Sequence, residues 1–302
     1  MAPRKQISQK DKIILWLGMA SVILLTVAIL LTRNPVSGWN DEVEQRAYQI
    51  MQEAIEAASL NHDLIGPEIS DITTTLGDPA AKRTTLNPEF AGALVKMLRE
   101  AGVRPGDTIA IGSSGSFPGL LIASLSASEA MSLVPRVILS LGSSSFGASD
   151  PDYTILDIHM ALCRQGIFNT LPLAVSLGGD MDTGREYEQQ VRDKLTAKTR
   201  DYGIPLIFED DLTRNRQIRD SIYFAGNPNS IAAFINSGGG LANIGTSSLI
   251  LLLKPGVVTE AKMPPTDSQG VIHLMLNRNI PVIHLLHIKG IATRYRIPWD
   301  KQ

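Results

Sequence analysis

From residue 107 onward, short apolar runs alternate with helix-length segments, and each run ends in a loop rich in Gly, Ser or Asp. The runs cover 107–111, 135–141, 171–176, 204–208, 231–236 and 281–286. The helical segments cover 118–131, 153–165, 184–201, 212–225 and 268–277. This alternation is the pattern of βαβ units and implies a mostly parallel sheet with right-handed crossovers. In such a sheet the loops after the carboxyl ends of the strands share one edge, where ligands bind. The loops at 112–116, 142–147, 177–182, 209–211 and 237–240 are therefore expected on one side. A further apolar run, 247–253, reads as another strand. Upstream, Asp41 to about Leu60 is an amphipathic helix with Asp41 and Glu44 spaced as a capping box. Residues 73–78 are a polar loop, and a helix starts at Asn87-Pro88-Glu89.

The clearest strand–loop–helix passage is Ile109 to Gly119, read I-A-I-G-S-S-G-S-F-P-G. Gly112, Ser113, Ser114, Gly115 and Ser116 form a turn that lets another group approach the backbone closely. Three readings stand: an anion-binding loop, a serine nucleophile, or a plain turn. The nucleophile elbow G-x-S-x-G is not matched, since Ser116 stands where its last Gly belongs. The second loop, with Ser144 and Ser145, also departs from it. A hydrolase would use Ser114 or Ser116 as nucleophile and a histidine such as His284 as base. Asn236, Gly238, Gly239 and Gly240 follow another strand, where successive backbone N–H groups can crowd an anion. The spacing matches neither the dinucleotide fingerprint nor the P-loop. Asp180 and Asp182 flank Met181; hard oxygen ligands of this kind suit Mg²⁺ or Ca²⁺, and the alternative is that they cap a helix. His284 and His287 are three apart at a strand end, where they face opposite sides and are no natural metal pair.

The N-terminal region adds an address. Ile13 to Leu31 is an uncharged apolar run of about 19 residues, long enough to cross a bilayer as a helix. No small-residue cleavage site follows it, so it reads as an uncleaved signal anchor. Arg4, Lys5, Lys10 and Lys12 precede the run, and only Arg33 follows closely. The positive-inside rule then places residues 1–12 in the cytoplasm, 13–31 across the cell membrane as a single pass, 32–40 as a linker and 41–302 outside. The whole chain carries 28 basic and 30 acidic residues; the first 33 hold five basic and one acidic. The remainder has 23 basic against 29 acidic, a net of −6. That balance, with aromatics at 5%, gives no footprint for nucleic acid. Cys163 is the single cysteine, so no intrachain disulfide can form.

Taken as an ordered set, I-A-I-G-S-S-G-S-F-P-G, L-G-S-S-S-F-G-A-S-D, L-G-G-D-M-D, F-I-N-S-G-G-G-L-A-N-I-G and I-P-V-I-H-L-L, behind an anchor, resemble the membrane-anchored poly-γ-glutamate system protein family. The resemblance implies an accessory role in synthesis or export of that polymer, with synthase or export subunits as partners. It carries no catalytic assignment. The expected fold is α/β: one transmembrane helix, then a Rossmann-like three-layer domain with a mostly parallel sheet. The expected function is binding of the polyanionic polymer, or of partner subunits, at the Gly/Ser loop edge. The alternatives are a serine- or metal-assisted hydrolase or transferase acting on γ-glutamyl chains, and a structural scaffold. A polyanion requires a local basic cluster on so acidic a body; Lys82, Arg83, Arg104 and Arg136 are the candidates.

Overall fold

The computed structural model describes residues 41–60, 62–225, 227 and 229–300. The expected tail, membrane span and linker, 1–12, 13–31 and 32–40, lie outside the described residues. Among the described residues no helix is long and apolar enough to cross a membrane.

The chain enters through α1 (Glu42–Ala58), started by the Asp41 side chain, which accepts from the N–H groups of Val43 and Glu44 at 2.8 and 3.3 Å. Glu44 faces Lys96 and Arg99. Next come β1 (Thr73–Thr75), α2 (Pro79–Thr85) and α3 (Glu89–Glu100). The expected alternation follows as β2 (Thr108–Ser114), α4 (Pro118–Ala130), β3 (Val134–Ser140), β4 (Ser143–Ser144), α5 (Ile155–Arg164), β5 (Ala174–Ser176), α6 (Gln189–Asp201), β6 (Leu206–Ile207) and α7 (Leu212–Phe224). The chain closes with β7 (Ala233–Ser237), α8 (Leu241–Ile244), β8 (Gly256–Val258), α9 (Val271–Asn277), β9 (Val282–His284) and α10 (Ile288–Tyr295).

The fold is mixed α/β around a seven-stranded sheet in the order β6-β5-β3-β2-β7-β9-β8. Every neighbouring pair is parallel except β8 with β9. The chain runs outward from β2 to β6, then returns to place β7 on the other side of β2. The strand order thus reverses between β2 and β7, which opens a crevice beyond their carboxyl ends. Register aligns serines across those ends: Ser113 with Ser237, Ser114 with Ser140, and Ser140 with Ser176.

Alternate strand residues feed the two faces of the sheet. Ala110, Ile138, Phe234 and Val282 pack with Tyr223, Phe224, Val271, Ile272 and Met275 from α7 and α9. The other face meets α4, whose residues are buried on nearly all sides because α1 and α3 cover it from outside. Three buried serines sit within that helix, and Ser124 and Ser128 donate back to the carbonyls of Leu120 and Ser124.

Two local expectations change. Residues 247–253 do not form a strand. Ser248–Leu252 is a 3₁₀ turn, capped by Ser247 Oγ accepting from Leu249 N–H, with Leu251 and Leu252 exposed. The edge strand is β8 instead, selected by its antiparallel pairing with β9. The polar stretch at 73–75 is not only a loop: it pairs in parallel with Ser143–Ser144, which ties the second serine loop to α2.

Candidate functional site

A cavity of about 560 Å³ lies at the carboxyl edge of the sheet. Loops after β2, β3, β5, β7 and β9 all reach it, joined by the 74–78 segment and α2. Of the expected ligand-binding residues, Ser114, Ser116, Ser144, Gly239 and Gly240 line it. Gly112, Ser113, Gly115, Ser145, Asn236 and Gly238 are not among its lining residues. Ser113 Oγ donates to Ser237 Oγ at 3.2 Å and so joins β2 to β7 at the point of reversal. The Asn236 amide donates to the carbonyl of Gly238 at 2.9 Å and braces the glycine loop. Ser145 N–H donates to the carbonyl of Thr75. The acidic loop at 209–211 stays apart: Glu209 and Asp210 border a separate hollow with Arg185 and Arg192.

Ser114 is only 3% exposed, and its hydroxyl has no hydrogen-bond partner among the described residues. A buried unpaired hydroxyl costs about 1–3 kcal/mol, and a group entering the cavity could supply the missing partner. Gly238 makes room for it. Its φ is +122°, and a Cβ there would sit 2.3 Å from Ser114 Oγ. Gly238→Ala is expected to destabilise by about 1–3 kcal/mol in urea unfolding. Gly239→Ala, whose Cβ meets nothing within 4 Å, is expected to stay within about 0.5 kcal/mol of the parent.

Lys82, named from the sequence only as one of four basic residues for a polyanion, has a different setting. It projects from α2, is 2% exposed, and lines the same cavity. Its Nζ donates to the carbonyl of Ser116 and lies 2.6 Å from Ser144 Oγ. The ring of Phe117 covers it, with its centroid 3.6 Å from Nζ. Burial drives the lysine down to about 7, against a weaker upward pull from Asp78. The basic cluster considered for a polyanion does not assemble. Arg83 pairs with Asp300, and Arg136 donates to the carbonyl of Ile222. The charged side chains lining the cavity are Lys82 with Asp78, Asp180 and Glu186; His287 lies beside them.

Asp180 and Asp182 part company. Asp180 lines the cavity, and its N–H donates to both Glu186 carboxylate oxygens at 2.8–2.9 Å. Asp182 turns inward and pairs with Arg219 at 2.6 Å, both side chains 1% exposed. Ser176, Ser140 and Asn215 donate to the same carboxylate at 2.7, 3.1 and 3.0 Å. A carboxylate neutralised and saturated in this way is not available as a Mg²⁺ or Ca²⁺ ligand. Among the described residues no group of three or more His, Cys, Asp or Glu is placed to hold a metal. Asp182 instead fixes the loop after β5, whose Met181 and Asp182 both sit in the left-handed region at φ +50° and +62°.

His284 is 3% exposed and faces Asn236, with Nδ1 3.3 Å from the amide nitrogen. Burial pushes it down to about 4, so it is neutral at physiological pH. It is not among the cavity-lining residues, whereas the exposed His287, at φ +67°, is. No hydrogen bond connects His284 to Ser114 or Ser116. Comparison with known proteins adds no relative: no family model, no curated protein and no solved structure matches the chain.

Proposed function

We propose that this chain is a membrane-anchored, accessory component of a poly-γ-glutamate synthesis or export system, and that its extracytoplasmic, Rossmann-like domain holds an end of the polymer in the cavity at the sheet edge. The ordered motif set and the apolar run at 13–31 support the pathway and the address. The observation that carries the site is the buried, unpartnered Ser114 hydroxyl in a cavity reached by five strand-end loops. Synthase or export subunits are the partners that the resemblance implies, with the Gly/Ser loop edge as the surface they would meet.

The lining narrows which part of the polymer fits. An interior stretch of the polymer brings one carboxylate per residue into a space bordered by Asp78, Asp180 and Glu186. Like charges at close range in a partly buried site repel strongly. The end with a free α-amino group offers a cation to those carboxylates and a carbonyl to the serines. The test is calorimetric titration of short γ-linked glutamate oligomers into the purified protein. Oligomers with a free amino end are expected to bind, and N-acetylation is expected to weaken binding at least tenfold. Ser114→Ala is expected to weaken it about three- to tenfold, the worth of one neutral hydrogen bond. Equal binding of free and acetylated oligomers, or no binding, would count against the proposal.

A further inference from the structure

The contact between Lys82 and Ser144 goes beyond ligand holding. A lysine this buried has no carboxylate within ion-pair distance among the described residues; it touches one carbonyl, one hydroxyl and one aromatic ring, and Asp78 acts on it more weakly from further off. The Ser116 carbonyl can only accept, so it consumes one N–H of Lys82 and fixes the direction of the amine. The remaining polar neighbour is Ser144 Oγ at 2.6 Å, to which the protonated lysine donates and from which the deprotonated amine would accept a proton. Ser144 is itself anchored, because its N–H donates to Ser116 Oγ at 3.0 Å. Gly77 packs directly over the pair: a Cβ there would lie 2.4 Å from the Ser145 carbonyl oxygen, 3.1 Å from Lys82 Cε and 3.3 Å from Ser144 Oγ. Both side chains face the cavity. A serine hydroxyl within hydrogen-bond reach of a neutral amine is the arrangement of an activated nucleophile.

We propose that Ser144 is an acyl-transfer nucleophile and Lys82 its general base, acting on an amide or ester carbonyl of the molecule bound in the cavity. This rests on the cavity being the ligand site, and not on the ligand being poly-γ-glutamate. Ser144 Oγ attacks the carbonyl carbon as its proton passes to Lys82 Nζ. The carbon–nitrogen or carbon–oxygen bond to the leaving group breaks, and Lys82 returns the proton to the departing atom. The product is an acyl ester on Ser144. Water, giving a proton to Lys82, attacks that ester; its bond to Oγ breaks, the acid leaves, and Ser144 recovers its proton. An amine in place of water makes the same sequence a transfer. Lysine near neutrality suits this work, since a general base is most effective when its pKa lies close to the working pH.

The test uses an alkyl fluorophosphonate, which a nucleophilic serine displaces at phosphorus with loss of fluoride, on the full chain purified in detergent. Peptide mass spectrometry locates the adduct, and its rate is followed from pH 5 to 9. The expected result is one adduct, on Ser144, with a rate that rises through a midpoint near 7 and falls at least 100-fold in Lys82→Met. Lys82→Met nearly conserves volume and is expected to fold, which its unfolding transition verifies. Titration of the γ-linked oligomer into the same variants separates the two proposals: labelling without oligomer binding removes the polymer assignment alone. No adduct, an adduct on Ser114 or Ser116, or a rate unchanged in Lys82→Met would overturn the Ser144–Lys82 assignment.

Discussion

Arg219→Leu is expected to cost about 3–5 kcal/mol of folding stability, because it strands the Asp182 carboxylate in the interior. The arginine does more than neutralise. Its Nη2 donates to Asp182 at 2.6 Å and to Ser176 Oγ at 2.8 Å, and its Nε donates to Asn215 Oδ1 at 2.8 Å. Asn215 in turn donates to Asp182 and to the carbonyl of Glu209. The network therefore links α7 to the ends of β3 and β5 and to the loop that borders the cavity. The double variant Asp182→Leu/Arg219→Leu removes both charges together and is expected to recover part of the loss. Urea unfolding of the three proteins measures both quantities. A loss below about 1 kcal/mol in Arg219→Leu would mean that the pair does not hold this loop.

The second large effect is a pH dependence that belongs to Lys82. An unfolded lysine titrates near 10.5, and the buried one near 7. Between these values the unfolded chain holds a proton that the folded chain has lost, so stability rises with pH across that window. Below pH 7 both states are protonated and the destabilising burden of the buried charge is fully present. Well above pH 10.5 both are neutral and the burden is gone. The span corresponds to a change on the order of 5 kcal/mol. Other groups titrate in the same range, so the informative quantity is the difference between the parent and Lys82→Met. Urea unfolding at steps from pH 6.5 to 9.5 is expected to show the parent gaining on the variant as pH rises. Parallel profiles would show that Lys82 is not held as a buried, unpaired base.

What local pattern can disclose, it disclosed here at the sheet edge. Ile109 to Gly119 does form a strand, a serine turn and a helix opened by Pro118, and loops after successive parallel strands do meet in one cavity. Ser114, Ser116 and Ser144 were legible as residues of the cavity edge because they follow the carboxyl ends of parallel strands, though a plain turn read equally well from the sequence. Lys82 was legible only as one of four basic residues for a polyanion, and its burial was not, since lysine in a short helix normally marks a solvated face. Its burial depends on α2 packing against loops that begin more than 30 residues later, and no periodicity records that. Asp182 shows the same limit from the other side. Two aspartates one residue apart suggest shared ligation, but the partner that decides is Arg219, 37 residues onward. His284 likewise takes its neighbour from β7, across a strand pairing. Leu251 and Leu252 read as strand by composition, yet Ser247 caps a turn there and β8 takes the edge.

The most direct measurement is a crystal structure of the protein with a short γ-linked glutamate oligomer bearing a free amino end. Ligand density in the strand-end cavity is expected, with an acceptor or donor within hydrogen-bond distance of Ser114 Oγ and the first carbonyl carbon facing Ser144. An ordered oligomer seated elsewhere, such as the hollow beside Arg185 and Arg192, with the strand-end cavity empty, would contradict the assignment of the site.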